Sequence, residues 1–321
     1  MKRALDFVAV AALVGALGTG IAARAAAETI PVIVKDTTAQ YWQIVLAGAR
    51  AAGRDLHIDV PAMGAQSESD ISGQISALEN AVSGKPAAIV IAPTQAAALA
   101  NPIAEASQKV KIIGIDSAAN TDTFTAFLST DNTHGGAVAA DALAEAIKAK
   151  TGAAKGDVAL IVSLPGVGSL DQRTKGFKDE LAQKWPDIKI KAERIGDGQA
   201  TSGLNIMTDL ITGNPNLKGV FASNLTMAQG ASQALAENRD SGIVMVGFDS
   251  DPKLVKMLSD GVIAGLVVQD PYRMGYDGVK TAYAVAKGEK VDKQIDTGVT
   301  LVSKANLGDP KIQQLVNPKT D

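Results

Sequence analysis

The 321-residue chain contains no cysteine and only two histidines, His57 and His134. The first absence excludes structural disulfides, a thiol nucleophile, an iron–sulfur cluster and a thiolate zinc site. The two histidines stand far apart in sequence without a neighbouring ligand motif, which argues against a histidine-rich metal centre. Positive charge is not in excess: 31 Lys and Arg face 34 Asp and Glu, so no broad basic field exists for a nucleic-acid backbone. Aromatics make up only 4% of the chain, which makes the adjacent pair Tyr41-Trp42 worth attention. No apolar run after the N-terminal segment is long enough to span a bilayer.

Against these absences stands a hydrophobic fraction of 46%, enough to bury a sizeable core and, at this length, to form two domains. The N-terminus has the order of a secretion signal. Met1-Lys2-Arg3 is basic, Phe7 to Leu17 is apolar, and Ala25-Ala26-Ala27 offers an A-x-A cleavage pattern before Glu28. The expectation is cleavage after Ala27 and a soluble exported protein; the absence of cysteine rules out a lipoprotein anchor.

Beyond residue 28, short β-rich runs alternate with segments of helical period, the pattern of a parallel α/β fold. Strands are expected at Ile30–Val34, His57–Met63, Ala87–Ala92, Val110–Ile115, Asp157–Val162, Ile188–Ile195, Gly219–Ala222, Ile243–Phe248 and Ala264–Val268. Ile71, Ile75, Leu78 and Val82 fall on one helical face, with Ser69, Asp70, Gln74 and Glu79 assigned to the others. The alternation pauses around Phe124–Asn132 and then restarts. This predicts two α/β lobes, about 29–130 and 131–269, followed by a final helix from Pro271 to Lys287 that could return to the first.

In open α/β sheets, ligands sit beyond the carboxyl ends of the strands. The residues there are polar: Lys35-Asp36, Asp116-Ser117, Asn224, Asp249 and Gln269, with a Gly/Pro loop at Leu164–Ser169 followed by Arg173. Singly, each has a plain alternative. An Asp or Asn after a strand is equally at home as a cap or turn former, Arg173 as a solvated helix residue, and Tyr41 or Trp42 as core. As a set, acids, amides and cations at equivalent ends of both lobes suit a neutral polyhydroxylated ligand, with an aromatic face to cover its C–H side. Enzyme signatures are weak. Gly166-Val-Gly168-Ser-Leu-Asp171 misses the last glycine of a dinucleotide loop, Gly230-Ala-Ser232-Gln-Ala234 misses a nucleophile elbow, and no Walker sequence occurs. No catalytic residue, cofactor or metal is expected.

At these residues the sequence resembles the periplasmic solute-binding proteins of ribose/allose-type ABC sugar importers, from about Thr29 to Ser303. The markers are Tyr41-Trp42, Ile115-Asp116, Ser129–Asn132, Arg173–Phe177, Gly203–Met207, Val220–Asn224, Val246–Asp249 and Gln269. The resemblance implies a periplasmic-binding-protein type I fold, with two Rossmann-like lobes joined by a three-stranded hinge. The first lobe would be 28–130 plus 270–298 and the second 131–269 plus 299–321. It implies that Lys35, Tyr41, Trp42, Asp116, Arg173, Asn224, Asp249 and Gln269 contact a monosaccharide or sugar alcohol. The protein would be a periplasmic monomer that hands this ligand to an inner-membrane ABC permease. Lys35 is similar to the allose branch. Ser117 replaces an Arg of the ribose branch, Leu225 an acid, and Gly198 an aromatic wall. The alternatives are a receptor for a sugar-like signalling molecule, a small-molecule enzyme on the same scaffold, and a sugar-responsive transcription regulator. The regulator lacks its DNA-binding helix-turn-helix here.

Overall fold

A computed structural model describes residues 28–318; the expected secretion signal lies outside them. Two six-stranded sheets form the molecule. In the first, β1 (Val32–Val34), β2 (Ala62–Gly64), β3 (Ile89–Ile91), β4 (Ile112–Ile115) and β5 (Ala126–Ser129) run parallel in the order β2-β1-β3-β4-β5. In the second, β6 (Gly156–Val162), β7 (Ile188–Ile195), β8 (Leu217–Ala222), β9 (Val244–Phe248) and β10 (Gly265–Gln269) repeat that order as β7-β6-β8-β9-β10. The central strands are buried on both faces, which is why they appear in sequence as continuous apolar runs rather than alternating ones.

Each sheet gains one late strand. β11 (Gln294–Asp296) adds parallel to β5, and β12 (Val299–Val302) adds antiparallel to β10. Neither was expected from sequence. β11 is three residues long and largely exposed, so it has no apolar run to announce it. The chain therefore passes between the sheets three times, after β5, after β10 and between β11 and β12. The first and third passages are tied together: Thr130 Oγ1 donates to the Gly298 carbonyl at 3.1 Å, and the Thr297 amide to the Ser129 carbonyl at 3.0 Å.

Ten α-helices cover the sheets among the described residues: α1 (Gln40–Leu56), α2 (Ile71–Ser83), α3 (Ala100–Ser107), α4 (Asn132–Thr151), α5 (Gly168–Lys184), α6 (Ala200–Gly213), α7 (Leu225–Glu237), α8 (Pro252–Ser259), α9 (Pro271–Ala286) and α10 (Pro310–Val316). Many start at an Asp or Asn whose side chain accepts an amide of the first turn, as Asp70, Asp131, Asn224, Asp251 and Asp270 do. α9 returns to pack on α1 and the first sheet, while α4 packs on α5 and the second.

These helix pairs approach at backbone distance. A Cβ on Gly136 of α4 would strike the Arg173 carbonyl of α5, and one on Gly176 the carbonyl of Thr133. The contact fixes the height of α5 and so the position of Arg173. One assignment is corrected here. Gln74, placed on the polar face of α2, is fully buried. Its amide donates to the carbonyls of Val34 and Ala92 and accepts from the Thr94 amide, tying β1, β3 and the following loop together. A buried amide that satisfies three backbone groups has the same sequence appearance as a solvated one.

Candidate functional site

β4 and β9 are equivalent strands of the two sheets, and each ends in an aspartate with left-handed backbone: Asp116 at φ 63° and Asp249 at φ 68°. In both cases the amide continues the ladder, to the Leu128 carbonyl at 2.9 Å and the Val267 carbonyl at 2.8 Å. Non-glycine residues seldom adopt this conformation, and Asp tolerates it better than most. The turn reverses the chain at the strand tip and leaves both carboxylates facing one cavity between the lobes.

All eight residues singled out in the sequence line that cavity. On the first lobe, Lys35 at the end of β1 is 3% exposed, and its Nζ donates to Asp116 Oδ2 and to Ser117 Oγ, both at 2.6 Å. Tyr41 donates its hydroxyl to Asp116 Oδ1 at 3.1 Å. Trp42 lies edge-on to Tyr41 with Lys35 Nζ 5.4 Å from its ring centroid. Both aromatics belong to the first-lobe core as well as to the cavity wall, so the packing role and the lining role coincide.

On the second lobe, Arg173 is 2% exposed rather than solvated. Its Nε donates to Asn132 Oδ1 at 2.8 Å and its Nη1 to the Ser223 carbonyl at 3.0 Å, while the guanidinium lies 3.7 Å from the Phe248 ring centroid. These contacts hold the guanidinium in place at the cavity wall. Asn224 caps α7 by accepting the Met227 amide at 3.2 Å, and it borders the cavity too. Gln269 donates to Asp249 Oδ1 at 2.7 Å; its own carbonyl oxygen is buried without any hydrogen-bond partner.

Burial by itself pushes every carboxyl here upward, and neighbours decide the outcome. At Asp116 desolvation is the largest single influence, but the Lys35 and Arg173 charges and the hydrogen bonds from Lys35 and Ser117 together outweigh it and hold the carboxyl below its usual range. At Asp249 desolvation prevails over Arg173 and the Gln269 bond, so its pKa is raised. Desolvation, reinforced by Asp116, also raises Tyr41 well above an ordinary phenol.

Sequence reasoning missed Glu68. It follows β2, accepts the Trp42 indole N–H at 2.7 Å, lines the cavity and has its pKa raised by desolvation. Its place after a strand was a usable signal, hidden because Ser67-Glu68-Ser69-Asp70 looks like any polar loop. Ser169, Leu170 and Thr226 also line the cavity. Of the three departures noted in sequence, Ser117 places its hydroxyl within the Lys35–Asp116 cluster, and Leu225 forms part of the wall. Gly198 is not among the lining residues; a Cβ there would meet Leu164. His134 is an exposed residue in the first turn of α4. Among the described residues no group of three or more potential ligands could hold a metal ion, and no helix is long and apolar enough to cross a membrane.

The arrangement offers carboxylates and a free amide carbonyl as acceptors, and guanidinium, ammonium and hydroxyl groups as donors, around a space flanked by aromatic rings. Comparison with known proteins agrees with that chemistry. The ribose import binding protein of Salmonella typhimurium is 28% identical over 95% of this chain and 99% of its own length. The D-allose-binding periplasmic protein of Escherichia coli is 30% identical over 83% of this chain and 87% of its own. A carbohydrate transporter solute binding protein from Agrobacterium radiobacter, crystallised in complex with D-arabinose, superposes with a TM-score of 0.90 at 62% identity, covering 91% of this chain and 100% of that one. The family model for the periplasmic binding protein domain matches residues 5–290. The resemblance carried by the strand-end residues is thereby borne out, and the chain belongs to the periplasmic binding protein domain family.

Proposed function

We propose that this protein captures an uncharged monosaccharide between its lobes and delivers it, chemically unaltered, to an inner-membrane ABC permease. The observation that carries the reading is the convergence of buried polar groups from both sheets on one cavity, above all the unpartnered carbonyl oxygen of Gln269. A buried acceptor without a donor costs about 1–3 kcal/mol, which a ligand hydroxyl would recover. Lys35, Tyr41, Trp42 and Asp116 would grip the sugar from one lobe, and Arg173, Asn224, Asp249 and Gln269 from the other. Bonds to charged groups contribute roughly 1.5–3 kcal/mol each, so a few outweigh the cost of association.

A pentose such as D-arabinose is the first candidate, because the relative of 62% identity was crystallised with it. D-Tagatose, D-fucose and D-allose follow, from more distant structures solved with those sugars bound, and a xylitol-binding relative keeps sugar alcohols in view. The N-terminal signal supports export, with residues 1–27 removed and a monomer working in the periplasm. Hinge closure about 130–131, 270 and 297–298 is the mechanism this reading requires, since the two half-sites meet only when the lobes do.

Calorimetric titration with these sugars tests the proposal. Saturable binding of at least one, with the sugar recovered unchanged, is the expected result. No binding across pentoses, hexoses and alditols, or conversion of the sugar to a product, would overturn it.

A further inference from the structure

The Gly/Pro loop between β6 and α5 fits neither a phosphate cradle nor a turn of convenience; it is the point at which the second lobe touches the first. The Ala96 amide, on the loop after β3, donates across the gap to the Gly166 carbonyl at 2.9 Å. Ser117, after β4, lies 2.8 Å from Ser169 of α5, oxygen to oxygen. Both serines are buried, Ser117 at 1% and Ser169 at 4% exposure.

The proton count of this cluster is constrained. Ser117 Oγ has one hydrogen and three close partners: Lys35 Nζ at 2.6 Å, Asp116 Oδ2 at 2.8 Å and Ser169. Lys35 can only donate. Ser117 Oγ reaches both Asp116 Oδ2 and Ser169 Oγ as a donor, and its single proton serves one of them at a time. The second lobe is thus hydrogen-bonded to the same group that orients Lys35 and Asp116.

Two glycines make the approach possible. Gly166 is left-handed at φ 73°, and a Cβ there would lie 2.9 Å from Gln95 Nε2. A Cβ on Gly168, whose φ is not positive, would lie 3.2 Å from the Ala118 carbonyl of the opposite lobe. Ser169 and Arg173 are four residues apart on one face of α5, so the bond that holds Ser169 also orients the turn that carries Arg173.

We propose that Ser169 and Gly168, with Ser117 and Ala96 opposite them, form a latch that positions the two half-sites and sets the open–closed balance; Ser169 also lines the cavity, whereas Gly168 does not, so the ligand-independent part of the test rests on Gly168. The inference goes beyond the reading of the site as a sugar pocket and rests on it only for the affinity arm of its test. Because the latch is complete within the protein, it favours the closed arrangement for every ligand by the same factor.

Three measurements on the mature chain test it. Ser169→Ala should weaken binding of each accepted sugar, roughly three- to tenfold for one lost hydrogen bond, mainly through faster dissociation. Gly168→Ala should weaken every sugar by the same factor, because its methyl group presses on backbone only when the lobes meet, and alanine is well tolerated at a helix start. Small-angle scattering without sugar should show both variants more open than wild type, and with saturating sugar all three should reach the same compact form.

A changed order of preference among sugars in Gly168→Ala, at a residue outside the cavity lining, would overturn the latch. Wild-type affinity together with wild-type scattering in both variants would overturn it equally. If no sugar binds even the wild-type protein, the proposed function fails, while the sugar-free scattering still decides the latch.

Discussion

At the scale of single residues, the site is an exercise in charge balance. Lys35 and Asp116 form a buried pair, and removing one partner of such a pair leaves an uncompensated charge at a cost of about 3–5 kcal/mol. Asp116→Ala should therefore lower thermal stability as well as sugar affinity. Asp249→Ala removes a carboxylate whose partners are an amide and a nearby guanidinium, and should weaken binding by more than about 1 kcal/mol with a smaller effect on melting. Melting curves and titrations of the two variants check this; equal melting temperatures for Asp116→Ala and wild type would contradict the buried-pair argument.

The raised carboxyls give a pH dependence with a definite sign. Desolvation raises Asp249 and Glu68 in the free site. A sugar hydroxyl donating to either one favours its charged form, so binding lowers that pKa and releases the proton held in the free site. Affinity should be greatest where both are ionised. It should decline as pH falls through their raised values, beginning above the range where an ordinary carboxylate titrates. Titrations in a pH series check this, and affinity that rises on mild acidification would contradict it.

At the scale of elements, strand ends and helix starts carry the site. The sequence made most of these ends legible, because a parallel strand buried on both faces is an apolar run and the polar residue that stops it is conspicuous: Ile112–Ile115 then Asp116, Val244–Phe248 then Asp249. Where that contrast fails, so does the reading. β2 shrinks to Ala62–Gly64 because it is an edge strand with little apolar signal, and Glu68 beyond it went unseen for the same reason. β11 and β12 were missed because they pair late and at sheet edges, and Gln74 was misplaced because hydrogen bonding lets a polar side chain occupy a core position. Asn224 satisfies both of its readings, as cap and as cavity lining, which no pattern could separate.

The α4–α5 contact offers a test at this scale. Gly176→Ala places a methyl group against the Thr133 carbonyl, so the helices must move apart. Overpacking of this kind costs roughly 1–3 kcal/mol, and the displacement would carry Arg173 with it. The variant should melt earlier and bind sugar more weakly even though residue 176 does not itself line the cavity. Wild-type affinity in a folded Gly176→Ala protein would show that Arg173 is not positioned by this packing.

At the scale of the whole molecule, the two sheets share one strand order, and each contributes half of one cavity. Ligands of such sheets lie at the switch point of strand order, beyond the carboxyl ends. Facing two such points toward each other produces a chamber that neither lobe could form alone. The first and third passages of the chain are tied by Thr130, Gly298, Thr297 and Ser129, and the second begins where Gln269 pairs with Val299, which suits rotation of the lobes about these crossings. Saturating sugar should therefore reduce the radius of gyration in solution, and an unchanged radius on binding would contradict closure.

The central claim is that both lobes hold one sugar through the strand-end residues. A crystal structure of the protein grown with the sugar that titrates most tightly tests it most directly. The account predicts the sugar in the inter-lobe cavity, with its hydroxyls bonded to Asp116 on one side and to Arg173, Asp249 and Gln269 on the other, and its ring beside Trp42. A sugar bound elsewhere, or held by groups of one lobe only, would contradict it.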